Sequence, residues 1–547
     1  MSFFILMRRE MQGSLSRLLV MSALGGASNA VILAAVNSGA QTGGGGKVNL
    51  LSVALFVVAL VLFVKSQHYI LIAATVEIEA IIHKLRVRLM DQVRRSELVP
   101  LDTIGRAGIV AAITRETATL TQATNMIAFA AQSVILIVFV AIYVAYLSLL
   151  AFAMTIVIVG AAALFLHLKS RDHIAGTREA AEWDNRLFDR LTDLLDGFKE
   201  VRLNSARSDA LFDDIIEVSR TAANIKIRTQ SETFKRLVFS QSSIYILLGA
   251  IVFVTPVLGD PQSDTLAKTT TATLFVVGAC FGLVQSIPIL SAANAAADNI
   301  ERLEARLRAT TVEGPVGPAQ PLTRFENIDV RSVVFRYVDK SSEAVFQVGP
   351  VDFTLRRGEL VFITGGNGSG KSTFLRVLAG LYHPDSGEIT LDGVRVTDRT
   401  RDAYRSLFAA IFVDYHLFER LYGIADPNPT EIDQLLRQYR LADKTRVADG
   451  EFSAIDLSGG QRKRLALIVS LLEKRPILLL DEWTAEQDPE FRRKFYDELL
   501  PALMRDGATV VAITHDDRYL DEFTLPARRL RMDEGRFVEE HSAENDR

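Results

Sequence analysis

Gly365-Gly-Asn-Gly-Ser-Gly-Lys-Ser-Thr373 is the stretch on which the reading of this chain turns. It follows an apolar run with strand character, Glu359-Leu-Val-Phe-Ile-Thr364, and opens into Phe374-Leu-Arg-Val-Leu-Ala379, which has helical character. A glycine-rich loop in that context curls so that successive backbone N–H groups converge on phosphates, and the helix dipole adds to the attraction. Gly365, Gly366, Asn367, Gly368, Ser369 and Gly370 form the cradle, completed by Lys371, Ser372 and Thr373. Lys371 is expected to reach the outer phosphates and Ser372 to offer its hydroxyl to Mg²⁺.

A second run, Pro476-Ile-Leu-Leu-Leu-Asp481-Glu482, reads as a fully buried strand that delivers two acids at its carboxyl end, where α/β sheets bind ligands. Asp481 is expected to hold Mg²⁺ and Glu482 to act as general base on water. Downstream of the phosphate loop and ahead of these acids lies Leu457-Ser-Gly-Gly-Gln461. Its residues Ser458, Gly459, Gly460 and Gln461 precede a helix and offer a further anion site. One phosphate does not need two such sites from one chain, so the simplest use is across a two-fold dimer. His515 ends the strand Thr509–Thr514 and is a candidate γ-phosphate contact. Tyr337 is suited to stack on adenine or, alternatively, to pack in the core.

Outward from these motifs, the 547 residues divide by composition. The chain is 49% apolar and 23% charged, with apolar runs crowding the first 290 residues and charge the remainder. Six runs suit membrane spans: Leu15–Val36, Val48–Tyr69, Met126–Tyr146, Leu149–Leu168, Leu237–Leu258 and Ala272–Leu290. Lysine and arginine collect before the first run and between runs two and three and four and five, which sets both termini in the cytoplasm. Helical spacing continues past the membrane through Gln67–Arg95 and Lys169–Asn204, so long helices should project and turn back near Val99 and Gly197. The proline- and glycine-rich stretch 313–322 reads as a linker between a membrane domain, 1–312, and a second domain, 323–547. Beyond it, short β-rich runs alternate with helical ones, as in an α/β domain with a mostly parallel sheet. A net charge of −4 gives no basic footprint for nucleic acid, and the single cysteine, Cys280, excludes an intramolecular disulfide. No cleavable secretory signal is expected.

In this order the phosphate loop, Leu-Ser-Gly-Gly-Gln461, Asp481-Glu482 and His515 resemble the ATP-binding-cassette family. The resemblance implies an α-helical six-span transmembrane domain fused to an α/β P-loop nucleotide-binding domain. It also implies ATP and Mg²⁺ as cofactors, and a half-transporter that works as a domain-swapped homodimer in a bacterial inner membrane. Val348-Gly-Pro-Val, Val413-Asp-Tyr-His-Leu-Phe418 and Leu480-Asp-Glu-Trp-Thr-Ala-Glu-Gln-Asp-Pro489 are similar to the cyclic-peptide exporter subfamily. Export of a cyclic or modified peptide or a peptide siderophore precursor is the function this implies. A lipid flippase and a siderophore importer of the same architecture are the alternatives. A soluble ATPase is excluded, because six apolar spans cannot be left in water. No cysteine-protease domain is expected ahead of the first span.

Two loops depart from the family pattern. Val413 stands where most cassettes have glutamine, and Asp414 beside it is either a candidate third Mg²⁺ ligand or a solvent-facing residue contacting the projecting helices. The loop usually reading Ser-Ala-Leu-Asp is Ala485-Glu-Gln-Asp488, which keeps only Asp488 for the nucleotide interface. Trp483, next to the expected base, is placed near the dimer seam or, alternatively, in the core. Gln132, Gln241, Tyr245 and Gln285 are polar groups inside spans, suited either to a cargo cavity or to helix–helix bonding.

Overall fold

The computed structural model describes residues 2–10, 15–43, 49–168, 170–258, 263–310, 322–338, 344–424 and 426–538. It separates into two compact units, 1–91 with 106–306, and 92–105 with 307–547. The expected linker lies outside the described residues except for Leu322.

The first unit is helical. Helices α1 (Ser2–Glu10), α2 (Leu15–Gly43) and α3 (Leu50–Arg95) are followed by the short α4 (Leu98–Ile104) and α5 (Arg106–Ala111). Then come α6 (Thr117–Leu147), α7 (Leu149–Leu168), α8 (Ser170–Asp196), α9 (Phe198–Leu203), α10 (Ser205–Leu258) and α11 (Ser263–Thr310). Among the described residues, five helices are long and apolar enough to cross a bilayer, and a shorter apolar one, Leu149–Phe165, occupies the remaining expected span. Helix covers both stretches expected to continue past the spans. Helix α3, of 46 residues, runs to Arg95, and α8 and α9 cover all but the ends and the Gly197 bend of the second stretch, whose first residue lies outside the described residues. Helix α10, of 54 residues, is longer than expected. At 1.5 Å per residue α10 is about 80 Å long, well over the roughly 30 Å of hydrocarbon it could cross. Helix α11 continues through Pro288.

At the amino terminus, Phe3 and Leu6 of α1 are buried. Four charges fasten this helix: Arg88 lies 2.9 Å from Glu10 and 2.8 Å from Glu304, and Arg9 lies 3.0 Å and 3.3 Å from the same two acids. Burial alone would raise the Glu10 pKa, but Arg88 and Arg9 hold it below the usual carboxylate value.

The second unit carries twelve strands among the described residues. They are β1 (Asn327–Val338), β2 (Ala344–Arg356), β3 (Leu360–Thr364), β4 (Ser386–Leu391), β5 (Val394–Arg395) and β6 (Phe408–Ile411). A small hairpin, β7 (Val447–Ala448) and β8 (Glu451–Phe452), precedes β9 (Ile477–Asp481), β10 (Thr509–Ile513), β11 (Arg528–Asp533) and β12 (Arg536–Val538). One sheet is antiparallel, in the order β2-β1-β4-β5. The other runs β12-β11-β3-β10-β9-β6, parallel except for the edge strand β12. Parallel strands covered on both faces read as continuous apolar runs, and their side chains alternate between two cores. Leu360, Phe362, Leu478, Leu480, Val510 and Ala512 enter one core; Val361, Ile363, Ile477, Leu479, Val511 and Ile513 enter the other.

The bend expected near Val99 belongs to this unit. Leu98 and Val99 pack against the second core, and Glu97 accepts a 2.6 Å bond from Arg405 while lying 3.5 Å from Arg401.

Replacing Arg88 by methionine leaves the nearly buried Glu304 short of a cation. The cost should be about 3 kcal/mol, the lower end for breaking a buried pair. The exposed pair Arg190–Asp214 is worth at most about 1 kcal/mol. Thermal unfolding in detergent should therefore show a clearly larger drop for Arg88→Met than for Arg190→Met, and equal drops would contradict this account.

Candidate nucleotide and hydrolysis site

Strand order builds the site. β10 lies between β3 and β9, with Ile513 beside both Ile363 and Asp481. The carboxyl ends of these strands therefore bring the phosphate loop, His515 and Asp481-Glu482 to one edge, where parallel sheets bind ligands.

The loop enters helix α12 (Lys371–Leu378) through Gly370 in a left-handed conformation. Gly365 has φ +140°, and a Cβ there would fall 2.1 Å from the Met532 carbonyl, so only glycine fits. The Lys371 ammonium lies inside the loop, donating to the carbonyls of Gly365 (2.9 Å) and Gly366 (2.8 Å). Burial lowers its pKa, opposed by the charges of Glu482 and Asp481. The Ser372 hydroxyl donates to Asp481 Oδ1 at 3.0 Å. Asp481 Oδ2 and Ser369 Oγ are buried without a hydrogen-bond partner. Burial lifts the Asp481 pKa; the Ser372 bond opposes that shift and the charge of Glu482 reinforces it.

Glu482 sits in the left-handed region, φ 49° and ψ 37°. Its N–H donates to the Ile513 carbonyl at 3.1 Å, and its Oε1 lies 3.2 Å from His515 Nε2. Lys371, Ser372, Asp481, Glu482 and His515 thus share one neighbourhood. Beyond α13 (Arg401–Arg405) and α14 (Pro429–Gln438), Ser458 instead caps α15 (Gly459–Leu472), its N–H donating to Gln461 Oε1 at 3.2 Å. The neighbours of that turn are Glu486 and Gln487: Gln487 Nε2 donates to the Gly460 carbonyl at 3.0 Å. Tyr337 is exposed on β1, which removes core packing as its role. Asp488 caps α16 (Pro489–Lys494) by accepting from the Phe491 N–H at 2.8 Å and from Arg464 at 2.5 Å. Those bonds, the backbone one first, hold its pKa below the usual carboxylate value.

Two expectations are corrected. Asp414 is not aimed at the Ser372–Asp481 pair. Its carboxylate, 73% exposed, is bonded to Arg376 on α12 at 2.9 Å. The guanidinium is itself seated over Tyr382 and Phe412, which draws Asp414 outward. Trp483 is not at a surface seam: it is 1% exposed, packs on Phe495 and donates to the Lys463 carbonyl at 2.8 Å. The left-handed turn at Glu482 sends the next side chain into the core. Arg376, Lys463 and Arg464 escaped the sequence reading, because cations on helices ordinarily read as solvated faces.

A loop that cradles phosphates beside a paired acid and histidine, on a cassette preceded by membrane-length helices, defines an ATP-driven membrane machine. Residues 348–485 match the model of the ABC transporter family. The chain is 33% identical over 487 residues to the ATP-binding protein SyrD of Pseudomonas syringae pv. syringae, covering 84% of this chain and 82% of SyrD. It is 32% identical over 238 residues to the mycobactin import ATP-binding/permease protein IrtB of Mycolicibacterium thermoresistibile, 40% of each. Its fold matches the structure of a bacterial Atm1-family ABC exporter with ATP bound, at TM-score 0.77 and 19% identity, over 97% of this chain and 94% of that one. The chain belongs to the ABC transporter family: an ATP-hydrolysing transporter set in a membrane, with the fold of an ABC exporter.

The placement of Asp414 predicts that Asp414→Asn leaves the Mg²⁺ dependence of ATP hydrolysis unchanged. A shifted metal titration in the purified variant would return Asp414 to the metal.

Proposed function

We propose that two copies of this chain form an exporter that carries a cyclic or modified peptide, or a peptide siderophore precursor, out across a bacterial inner membrane. Both termini and the nucleotide-binding domain then lie in the cytoplasm. The observation that carries the cargo reading is a cavity of about 1650 Å³ among α6, α7, α10 and α11. It exceeds the roughly 300–1,000 Å³ of pockets for drug-sized ligands. Its wall is chiefly apolar, with the amides of Gln230 and Gln285 and the hydroxyls of Thr155, Thr229 and Thr233 among it. Two cations, Lys226 and Arg236, are on that wall, and Lys226 is paired with Asp184 at 2.7 Å. Gln285 lines the cavity, whereas Gln241 bonds Tyr245 on its own helix at 3.3 Å.

A second copy is favoured by the α8–α10 tip, where Phe188, Leu195, Phe198, Leu203 and Phe212 are exposed well outside the apolar spans. Apolar patches in water call for cover. In the dimer, Ser458, Gly459, Gly460 and Gln461 of one copy close on ATP held by Gly365–Thr373 of the other, with Tyr337 against adenine and Asp488 at the interface.

The oxygen donors Ser372 Oγ and the unpartnered Asp481 Oδ2 fit a hard cation. These two residues would hold Mg²⁺, which neutralises phosphate charge when bound. Lys371 binds the outer phosphates. Glu482 orients water and takes its proton on a carboxylate oxygen, and His515 holds that carboxylate and meets the γ-phosphate.

Glu482→Gln should keep ATP binding and lose on the order of 10²–10⁴-fold in turnover; near-normal hydrolysis would remove Glu482 from the reaction. For the cargo, the full chain in lipid discs should show ATPase stimulation by cyclic peptides within a panel of peptides, siderophores and lipids. Stimulation by lipids alone would replace the peptide reading with a flippase.

A further inference from the structure

Lys463 lies two residues beyond the Ser-Gly-Gly-Gln461 turn, and its side chain is only 2% exposed. An ammonium ion taken out of water costs several kcal/mol unless it is paired and hydrogen-bonded. Its partners are all on one short turn. Nζ donates to the Glu482 carbonyl at 3.0 Å and lies 3.1 Å from Glu486 Oε1. The backbone carbonyl of Lys463 in turn accepts the indole N–H of Trp483.

That turn needs holding. A non-glycine residue in the left-handed region costs of order 1–3 kcal/mol and persists only where its surroundings over-determine it. At Glu482 the N–H is fixed by Ile513, and the carbonyl is fixed by Lys463 and by the Ala485 N–H at 3.3 Å. The other acid of the clasp, Glu486, is half-exposed but lies against the Ser-Gly-Gly turn. A Cβ on Gly459 would fall 2.3 Å from Glu486 Oε2, and one on Gly460 2.6 Å from the Glu486 carbonyl. Arg464 extends the contact, donating to Gln487 at 2.7 Å with its guanidinium stacked 3.6 Å from the Phe491 ring centroid. The start of α15 and the turn 482–487 are therefore one block, pinned at its centre by a buried cation.

We propose that Lys463 is a positioning residue for ATP hydrolysis. By capping the Glu482 carbonyl and pairing with Glu486, it fixes the backbone conformation that aims the Glu482 carboxylate at water. The proposal rests on Glu482 being the base, so its test includes the Glu482→Gln background.

Lys463→Met keeps the apolar stem and removes the ammonium. In the full chain in lipid discs it should lower kcat by about 10- to 100-fold, the scale of a misplaced catalytic group. KM for ATP should stay within about twofold, because the phosphate loop is untouched. Combined with Glu482→Gln, which itself must first abolish most turnover, Lys463→Met should cause no further loss. A lysine that only supports the fold would instead lower ATP affinity as well, or cut the residual rate equally in both backgrounds. Either result overturns the proposal, as does an unchanged kcat. Should Lys463→Met fail to fold, Glu486→Gln, at a half-exposed site, reads the same clasp: a several-fold fall in kcat at constant KM supports it, and a parental rate overturns it. Near-normal turnover in Glu482→Gln alone would instead point to failure of the base assignment itself.

Discussion

Everything at the nucleotide site depends on the hydrogen-bonded register of three parallel strands. Ile513 is level with Ile363 on one side and with Asp481 on the other. Because side chains alternate along a strand, a slip of one residue would exchange the two cores. Leu480 and Phe362 would trade places with Leu479 and Ile363, and Asp481 would leave Ser372. The burial of all five residues of β9 and of β10 fixes the register. The chemistry at the strand ends is thus held by apolar packing several residues away.

The membrane unit obeys a different rule. Polar side chains in its helices are satisfied locally: Ser28, Thr124, Thr155, Ser243, Thr269 and Thr273 each donate to the carbonyl four residues earlier. Such bonds let hydroxyls sit in apolar surroundings without a partner helix. What remains for tertiary use is a small set, notably Asn37, which reaches the Tyr143 hydroxyl and the Lys268 carbonyl, both at 3.4 Å. A nearly buried acid is paired where α3 and α11 meet, Glu304 with Arg88, whereas the pairs Arg190–Asp214 and Lys226–Asp184 are exposed.

The sequence was legible where a pattern encodes its own geometry. Glycines before Lys371-Ser372 and an apolar run before Asp481-Glu482 each specify a strand end, and both stand where they were expected. Long helices were legible too, because helical spacing runs on past the apolar runs through the end of α3 and through α8. Illegible were side chains whose direction is set by a single backbone dihedral or by distant partners. Trp483 follows Glu482 in sequence, yet the left-handed turn between them separates core from cleft. Asp414 follows Val413, yet its direction is decided by Arg376 on another element. Residues 92–105 looked like a bend between membrane helices; only the pairing of Glu97 with Arg405 and the burial of Leu98 and Val99 assign them to the second unit.

The departures from the usual cassette pattern then become mutually intelligible. Lys463 and Arg464 are buried cations, and a buried cation requires an acceptor close by. Glu486 and Gln487, the residues that replace the usual loop, are those acceptors. On the far side of the site, Arg376 is a half-buried cation whose acid is Asp414, one of the two unusual residues at the end of β6. In both places the unusual acid or amide is the partner of a cation on a helix that begins at a glycine-rich turn, α15 for Glu486 and Gln487 and α12 for Asp414. Neither substitution can be judged alone. Changing Glu486 to the apolar residue common at its position would strand Lys463, so the pair, rather than either residue, is the unit that keeps the turn of Glu482 in place.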